Sequence, residues 1–279
     1  MGVLNVTPDS FSDGGAYLDA SAAIAQGERL LAEGADILDV GGESTRPGAG
    51  RVDADEERRR VLPVVRALAG AGAVVSVDTM RAETAAAALD AGAAIVNDVS
   101  GGLADEAMPR LVAGSGVPYV AMHWRGHSDT MQQRSSYADV VTDVRRDLAA
   151  RLHALAAAGV DPEQVVLDPG LGFAKQPEDN WPLLARLEDL QGLGRPLLVG
   201  ASRKAFLGRV LAVPGGTPRP AEDRDDATAA VSALAAAAGA WCVRVHAVRA
   251  TRDAVEVAAA VCRARVGDVG AGRRRAVPT

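Results

Sequence analysis

Short apolar runs, mostly β-branched, recur along the chain at residues 3–6, 36–40, 74–78, 94–98, 119–123, 165–168, 197–200 and 242–246. Between them lie longer alanine-rich stretches with helical spacing, at 20–33, 55–68, 82–90, 140–158 and 227–238 among others. Several of these stretches end in glycine just before the next run: Gly34, Gly72, Gly92, Gly159 and Gly239. Glycine enters the left-handed region cheaply and commonly follows the last helical residue. Near-continuous apolar strands alternating with helices predict a parallel sheet covered on both faces. Eight such units in about 250 residues match an α/β fold of the TIM (β/α)8 barrel type. An open doubly wound sheet stays as the alternative, because a count of strands does not prove closure.

Two segments interrupt the rhythm. Residues 213–226 are rich in proline, glycine and charge, and residues 267–279 hold Arg273-Arg274-Arg275 without an apolar period. The second is expected to be a disordered tail. No linker is evident, so one domain is expected over residues 1–266. The 279 residues are 48% hydrophobic, enough for a large core. No apolar run reaches the 18 residues that would suggest a membrane span. Met1-Gly2-Val3-Leu4-Asn5 lacks a charged, cleavable start. The two cysteines exclude a disulfide framework, so a cytoplasmic setting is expected. A net charge of −6 argues against a general nucleic-acid binder.

Polar residues close most of the strands: Asn5, Asp39, Asp78, Asn97 with Asp98, His123, Asp168, and Arg244 with His246. The seventh strand runs into Ser202-Arg203-Lys204. A parallel barrel gathers these ends on the face where barrel enzymes keep their sites. Single strand-end acids often cap a helix or loop, but capping alone does not explain so many. Buried carboxylates suit a flat heterocycle with paired N–H donors. Arg46, Lys204, Arg244 and His246 suit a phosphate or carboxylate. Asn5 is a neutral oxygen donor of the kind that shares Mg²⁺ with substrate phosphates. No zinc cluster, P-loop or dinucleotide fingerprint is present. The polar glycine-containing loops at 7–15 and 41–48 read as lids.

Only two of the 30 basic side chains are lysines, Lys175 and Lys204. Lys204 is expected to need a compact ammonium that the arginine fork cannot replace. Lys175 is expected to be a loop cation outside the site, with Arg tolerated there. His123, His127 and His153 are expected to be structural, and Trp124 and Trp181 to be packing residues.

Five motifs carry a resemblance over nearly the whole chain. They are Asn5-Val6-Thr7-Pro8-Asp9-Ser10-Phe11-Ser12-Asp13-Gly14-Gly15, residues 41–48, Asn97-Asp98-Val99-Ser100-Gly101-Gly102, Leu167-Asp168-Pro169-Gly170-Leu171-Gly172-Phe173, and Gly200-Ala201-Ser202-Arg203-Lys204. They resemble the bacterial dihydropteroate synthase family. The resemblance implies a TIM barrel that joins p-aminobenzoate to 6-hydroxymethyl-7,8-dihydropterin diphosphate, giving 7,8-dihydropteroate and pyrophosphate. It implies that Asp78, Asn97, Asp168 and Lys204 hold the pterin. Asn5, Arg244 and His246 would hold the diphosphate, with Mg²⁺ at Asn5. Phe11, Thr45, Arg46, Pro47, Phe173 and Ser202 would shape the p-aminobenzoate pocket. Asn5, Lys204, Arg244 and His246 would be the catalytic set, and the chain would form a homodimer. Ala205 and Ala247 stand where relatives often carry Ser and Asp. Two other readings are a folate-dependent methyltransferase domain, which would lack a diphosphate site, and a non-catalytic pterin-binding paralogue.

Overall fold

Every apolar run becomes a strand, and every strand pairs in parallel. The computed structural model describes residues 1–7, 16–43, 52–126 and 134–272. The strands are β1 (Gly2–Asn5), β2 (Leu38–Gly41), β3 (Val75–Asp78), β4 (Ile95–Asp98), β5 (Tyr119–Met122), β6 (Val165–Asp168), β7 (Leu198–Val199) and β8 (Cys242–Val243). The first six form one sheet in sequence order, and β7 pairs with β8. Bridges Leu167↔Leu197 and Gly2↔Val245 join these two pieces at both edges. There the amide of Leu167 donates to Pro196 O at 2.9 Å, Val3 to Val245 O at 2.9 Å, and Val245 to Met1 O at 3.0 Å. The ring is therefore closed, which decides for a barrel over an open sheet.

The helices are α1 (Ala16–Ala32), α2 (Ala54–Gly70), α3 (Ala82–Asp90), α4 (Met108–Ser115), α5 (Val140–Ala157), α6 (Asn180–Ala185), α7 (Leu187–Gln191), α8 (Ala205–Val210), α9 (Asp225–Ala237) and α10 (Val248–Gly272). Asp53 caps α2 by accepting from the Asp55 amide, and Asp139 caps α5 by accepting from Thr142. The five glycines read as helix stops all take φ between +86° and +106°. Helix α10 continues to Gly272, six residues beyond the limit of 266 expected from sequence. The stretch after 266 lacks an apolar period, so the pattern gave no signal that the helix goes on. Residues 273–279 lie outside the described residues.

The period-two alternation of strand side chains positions the site. Met1, Ile95, Val120, Val166 and Leu198, with Ile37 and Cys242 packed on them, fill the barrel interior. Residues of the opposite parity, among them Leu38, Val40, Val77, Val96, Tyr119 and Leu167, join the larger core. Two positions beyond the inner apolar layer, toward the strand C-termini, stand Asp39, Asn97, Asp168, Gly200 and Arg244. The same alternation that fills the barrel with hydrocarbon therefore sets a polar layer on top of it.

Parity also separates two neighbours that the sequence reading grouped. Asn97 points inward, whereas Asp98 points out toward the helices. Asp98 accepts from the Ser100 amide and hydroxyl, from the Gly102 amide and from the Tyr119 hydroxyl, at 2.7–2.8 Å. It shapes the turn after β4 and is no part of the active face.

Candidate active site

Arg244 is the hub of the inner layer. Its Nε donates to Asp39 Oδ2 at 2.6 Å and its Nη2 to Asp78 Oδ2 at 2.7 Å. Asn97 Nδ2 donates to the same Asp39 oxygen at 2.9 Å. Asp39, fully buried, thus ties together a diphosphate candidate and a pterin candidate. From sequence it is a strand-end acid with no role assigned. Its inward parity, two residues past Ile37, was the signal that could have placed it. Burial works against the Arg244 charge, but Asp39 and Asp78 outweigh it and hold the guanidinium pKa above its ordinary value. Burial pushes the Asp78 carboxyl up to about 7, with Arg244 opposing and Asp39 adding to the rise.

Asp168 closes β6. Its Oδ1 accepts from the Gly170 amide at 2.7 Å, which fixes the carboxylate plane. Burial raises its pKa, and Lys204 pulls the other way. Lys204 is the N-cap residue of α8, at the helix start expected for it, and Ala205 opens that helix. Its Nζ donates to Leu171 O and lies 4.6 Å from the centre of the Phe173 ring. Burial lowers the Lys204 pKa to about 8, although Asp168 supports the charge. A Cβ on Gly172, which has φ +75°, would stand 3.1 Å from Lys204 Cδ. The glycine is required both by its backbone conformation and by the lysine beside it.

Ser202 Oγ lies 2.9 Å from His246 Nδ1 and accepts from the His246 backbone amide at 3.1 Å. With its own proton free to go to Nδ1, the hydroxyl leaves the ring proton on Nε2, a donor suited to phosphate. The structure thus groups Ser202 with His246. Asn5 ends β1 and lies in register with Gly41, which is in turn level with Asp78 and then Asn97. Phe11, Thr45, Arg46 and Pro47 lie outside the described residues, as does His127.

Arg81 braces both ends of the second loop. Its Nη1 lies 2.7 Å from both Glu43 and Glu57, and its Nη2 donates to Val52 O at 2.5 Å. Thr84 also donates to the buried Glu57, at 3.0 Å. Of this group only Glu43 lies in a motif, residues 41–48; the others come from separate segments.

Lys175 departs from the expectation. It is 3% exposed, not a solvated loop cation. Its Nζ lies 3.1 Å from His123 Nδ1 and donates to Phe173 O at 3.1 Å. His123 Nε2 faces Asp147 Oδ2 at 3.2 Å, so His123 is a buried structural histidine as expected. Trp181 packs edge-on to Phe206 with centroids 5.0 Å apart, also as expected.

A closed (β/α)8 barrel with carboxylates, an amide, a guanidinium and an ammonium on its strand C-terminal face defines a barrel enzyme for a polar heterocycle with an anionic group. A family model described as pterin binding enzyme matches residues 1–246. The dihydropteroate synthase of Mycobacterium leprae is 57% identical over 261 residues, spanning 93% of this chain and 92% of that protein. The solved structure of Xanthomonas albilineans dihydropteroate synthase with 4-aminobenzoic acid superposes with a TM-score of 0.86 at 45% identity. It covers 94% of this chain and 92% of that one. A structure of the Xanthomonas albilineans enzyme in complex with 7,8-dihydropteroate gives 0.83 at 42% identity, covering 94% and 92%. This chain belongs to the dihydropteroate synthase family.

Proposed function

We propose that the polar face carries out the family's condensation of p-aminobenzoate with 6-hydroxymethyl-7,8-dihydropterin diphosphate, with the roles divided by the inner layer. One observation carries this reading. Asp78, Asn97, Asp168 and Lys204 are inward-facing or adjacent strand-end residues, and Arg244 bonds Asp78 directly and reaches Asn97 through Asp39. Asp168 and Asp78 accept the pterin's N–H groups as charge-assisted bonds. Asn97 and the Lys204 ammonium complete the edge. The related structures with 4-aminobenzoic acid and with 7,8-dihydropteroate support the same two ligands here.

Arg244 and His246 meet the diphosphate. Charge that develops on the leaving group is stabilised by donors already in place. The C–O bond next to the pterin ring can then ionise with departure of pyrophosphate, the neutral aryl amine attacks the methylene carbon, and the acidic anilinium so formed gives its proton to water or to the departing pyrophosphate. No dedicated strong base is needed, since the amine is uncharged at pH 7. Phe173, lying against Lys204, forms one wall for the second substrate, and Phe11, Thr45, Arg46 and Pro47 are assigned to that pocket by family motif. Ser202, assigned to that pocket by the same motifs, also holds His246, which meets the diphosphate.

The donor set fits Mg²⁺ brought in with the substrate. Among the described residues no group of three or more His, Cys, Asp or Glu side chains could form a metal cage. Asn5 offers one neutral oxygen, and Mg²⁺ commonly takes its other ligands from phosphates and water. When bound, the ion would neutralise leaving-group charge, with the Asn5 carboxamide oxygen holding it. We place the enzyme in the cytoplasm, the setting in which free thiols such as Cys242 and Cys262 stay reduced; among the described residues no helix is long and apolar enough to cross a membrane. The exposed apolar side chains of Leu234, Val257 and Val261 on α9 and α10, two helices packed on each other, support a homodimer.

The test is release of pyrophosphate from the pterin diphosphate. The reading requires release that depends on both p-aminobenzoate and Mg²⁺. Release independent of the aryl amine would mean a hydrolase.

A further inference from the structure

Among the described residues, two non-glycine residues have positive φ: Ala174 at +48° and Arg203 at +58°. Each immediately precedes one of the chain's two lysines. Such backbone is strained and persists only where the surroundings fix it. Around Arg203 the fixing groups are the Asp225 ion pair and an Arg224 bond to the Arg203 carbonyl. Around Ala174 they are the Tyr137 hydroxyl, which donates to Ala174 O at 2.8 Å, and Lys175, which donates to Phe173 O.

Lys175 is fixed in turn. The Asp147 carboxylate, held below its ordinary pKa chiefly by its hydrogen bond with His123, only accepts, so the ring proton sits on Nε2 facing it and His123 Nδ1 accepts from Lys175. Arg125 holds Asp147 from the other side at 2.9 Å and lies over the Tyr137 ring. The line Asp147–His123–Lys175–Phe173 therefore runs from α5 through the end of β5 to the wall of the active site. The mechanism above uses none of its first three members.

We propose that Lys175 is a positioning residue for the aryl-amine pocket: held by the His123–Asp147 pair, its ammonium clamps the Phe173 carbonyl and keeps the Phe173 ring against Lys204. The inference rests on the reading that Phe173 forms a wall of the p-aminobenzoate pocket. It also explains why this buried cation is a lysine. The Nζ sits against Gly170, where even an added Cβ would come within 3.4 Å of it. A planar guanidinium does not fit, so Lys175→Arg should fail to substitute, contrary to the tolerance expected from sequence.

The two lysines make the test clean. With isotope-labelled lysine, Lys175→Met leaves the side-chain NMR signal of Lys204 alone. In the wild-type protein the Phe173 ring, 4.6 Å from Nζ, should shift the Lys204 methylene protons upfield. In Lys175→Met they should move toward the position of an unstructured lysine. The KM for p-aminobenzoate should rise about tenfold, and kcat and the KM for the pterin diphosphate should stay within about threefold. An unmoved Lys204 signal, or a p-aminobenzoate KM unchanged at any Tm, overturns the proposal. A wild-type protein without turnover would remove the functional reading, and the NMR comparison would still decide the clamp. If Lys175→Met does not fold, Asp147→Asn, altered in a side chain about one-third exposed, takes its place. It should shift Lys204 in the same direction and raise the p-aminobenzoate KM about threefold; no change in either overturns the clamp.

Discussion

Replacing Asp39 with Asn removes the one charge that joins Arg244 to Asn97. The side chain is fully buried, and a single oxygen takes both bonds, from Arg244 Nε at 2.6 Å and Asn97 Nδ2 at 2.9 Å. A bond to a charged donor contributes about 1.5–3 kcal/mol, and the neutral one about 1 kcal/mol. Against this, the native protein carries the desolvation cost of a buried carboxylate, which the substitution relieves. Arg244 keeps its second partner, Asp78, so no cation is left stranded. The net loss should be about 2 kcal/mol, or roughly 4–8 °C in Tm for a chain near this size. The kinetic signature should be selective. The KM for the pterin diphosphate should rise about tenfold, since both tethered groups face that substrate, and the KM for p-aminobenzoate should change little. Thermal melting and steady-state kinetics with each substrate varied in turn read both effects. An unchanged Tm together with an unchanged pterin diphosphate KM would refute the hub; equal rises in both KM values would refute the division of roles.

Lys204→Arg should lose most activity despite keeping its charge, because Leu171 O, the Phe173 ring and Gly172 close around a compact ammonium; turnover near the wild-type rate would contradict this. Asp168→Asn should weaken pterin binding by about 1.5–3 kcal/mol per lost charged bond and leave p-aminobenzoate binding nearly intact; calorimetry showing equal losses would remove its role. Asp78, raised to about 7, is protonated below that pH and ionised above it. Pterin affinity should therefore rise with pH as this carboxyl ionises, and Asp78→Asn should flatten that dependence when followed by calorimetry.

Strand and helix placement was legible because burial on both faces makes the strands apolar and because glycine marks the helix ends. Closure was not, since it rests on hydrogen bonds at Val245 and Leu197 that no local pattern encodes. The active face was legible from strand-end polarity, but parity divides that list more finely. Asn97 and Asp98 are chain neighbours with opposite destinations, and Asp39 belongs to the site although no motif singled it out. Lys175 was misread because a cation in a glycine-rich segment resembles a solvated loop. Its burial depends on His123 and Asp147, which are distant in sequence. The Arg81 clasp was invisible for the same reason.

The central claim is that one face of this barrel both holds the pterin and forms its bond to the aryl amine. Incubation of the whole chain with the pterin diphosphate, p-aminobenzoate and Mg²⁺, followed by separation of the products, tests it most directly. The account predicts 7,8-dihydropteroate and pyrophosphate in equal amounts, both abolished when p-aminobenzoate or Mg²⁺ is omitted. Binding of the pterin diphosphate without any dihydropteroate would contradict it and would mark the chain as a pterin-binding protein without catalysis.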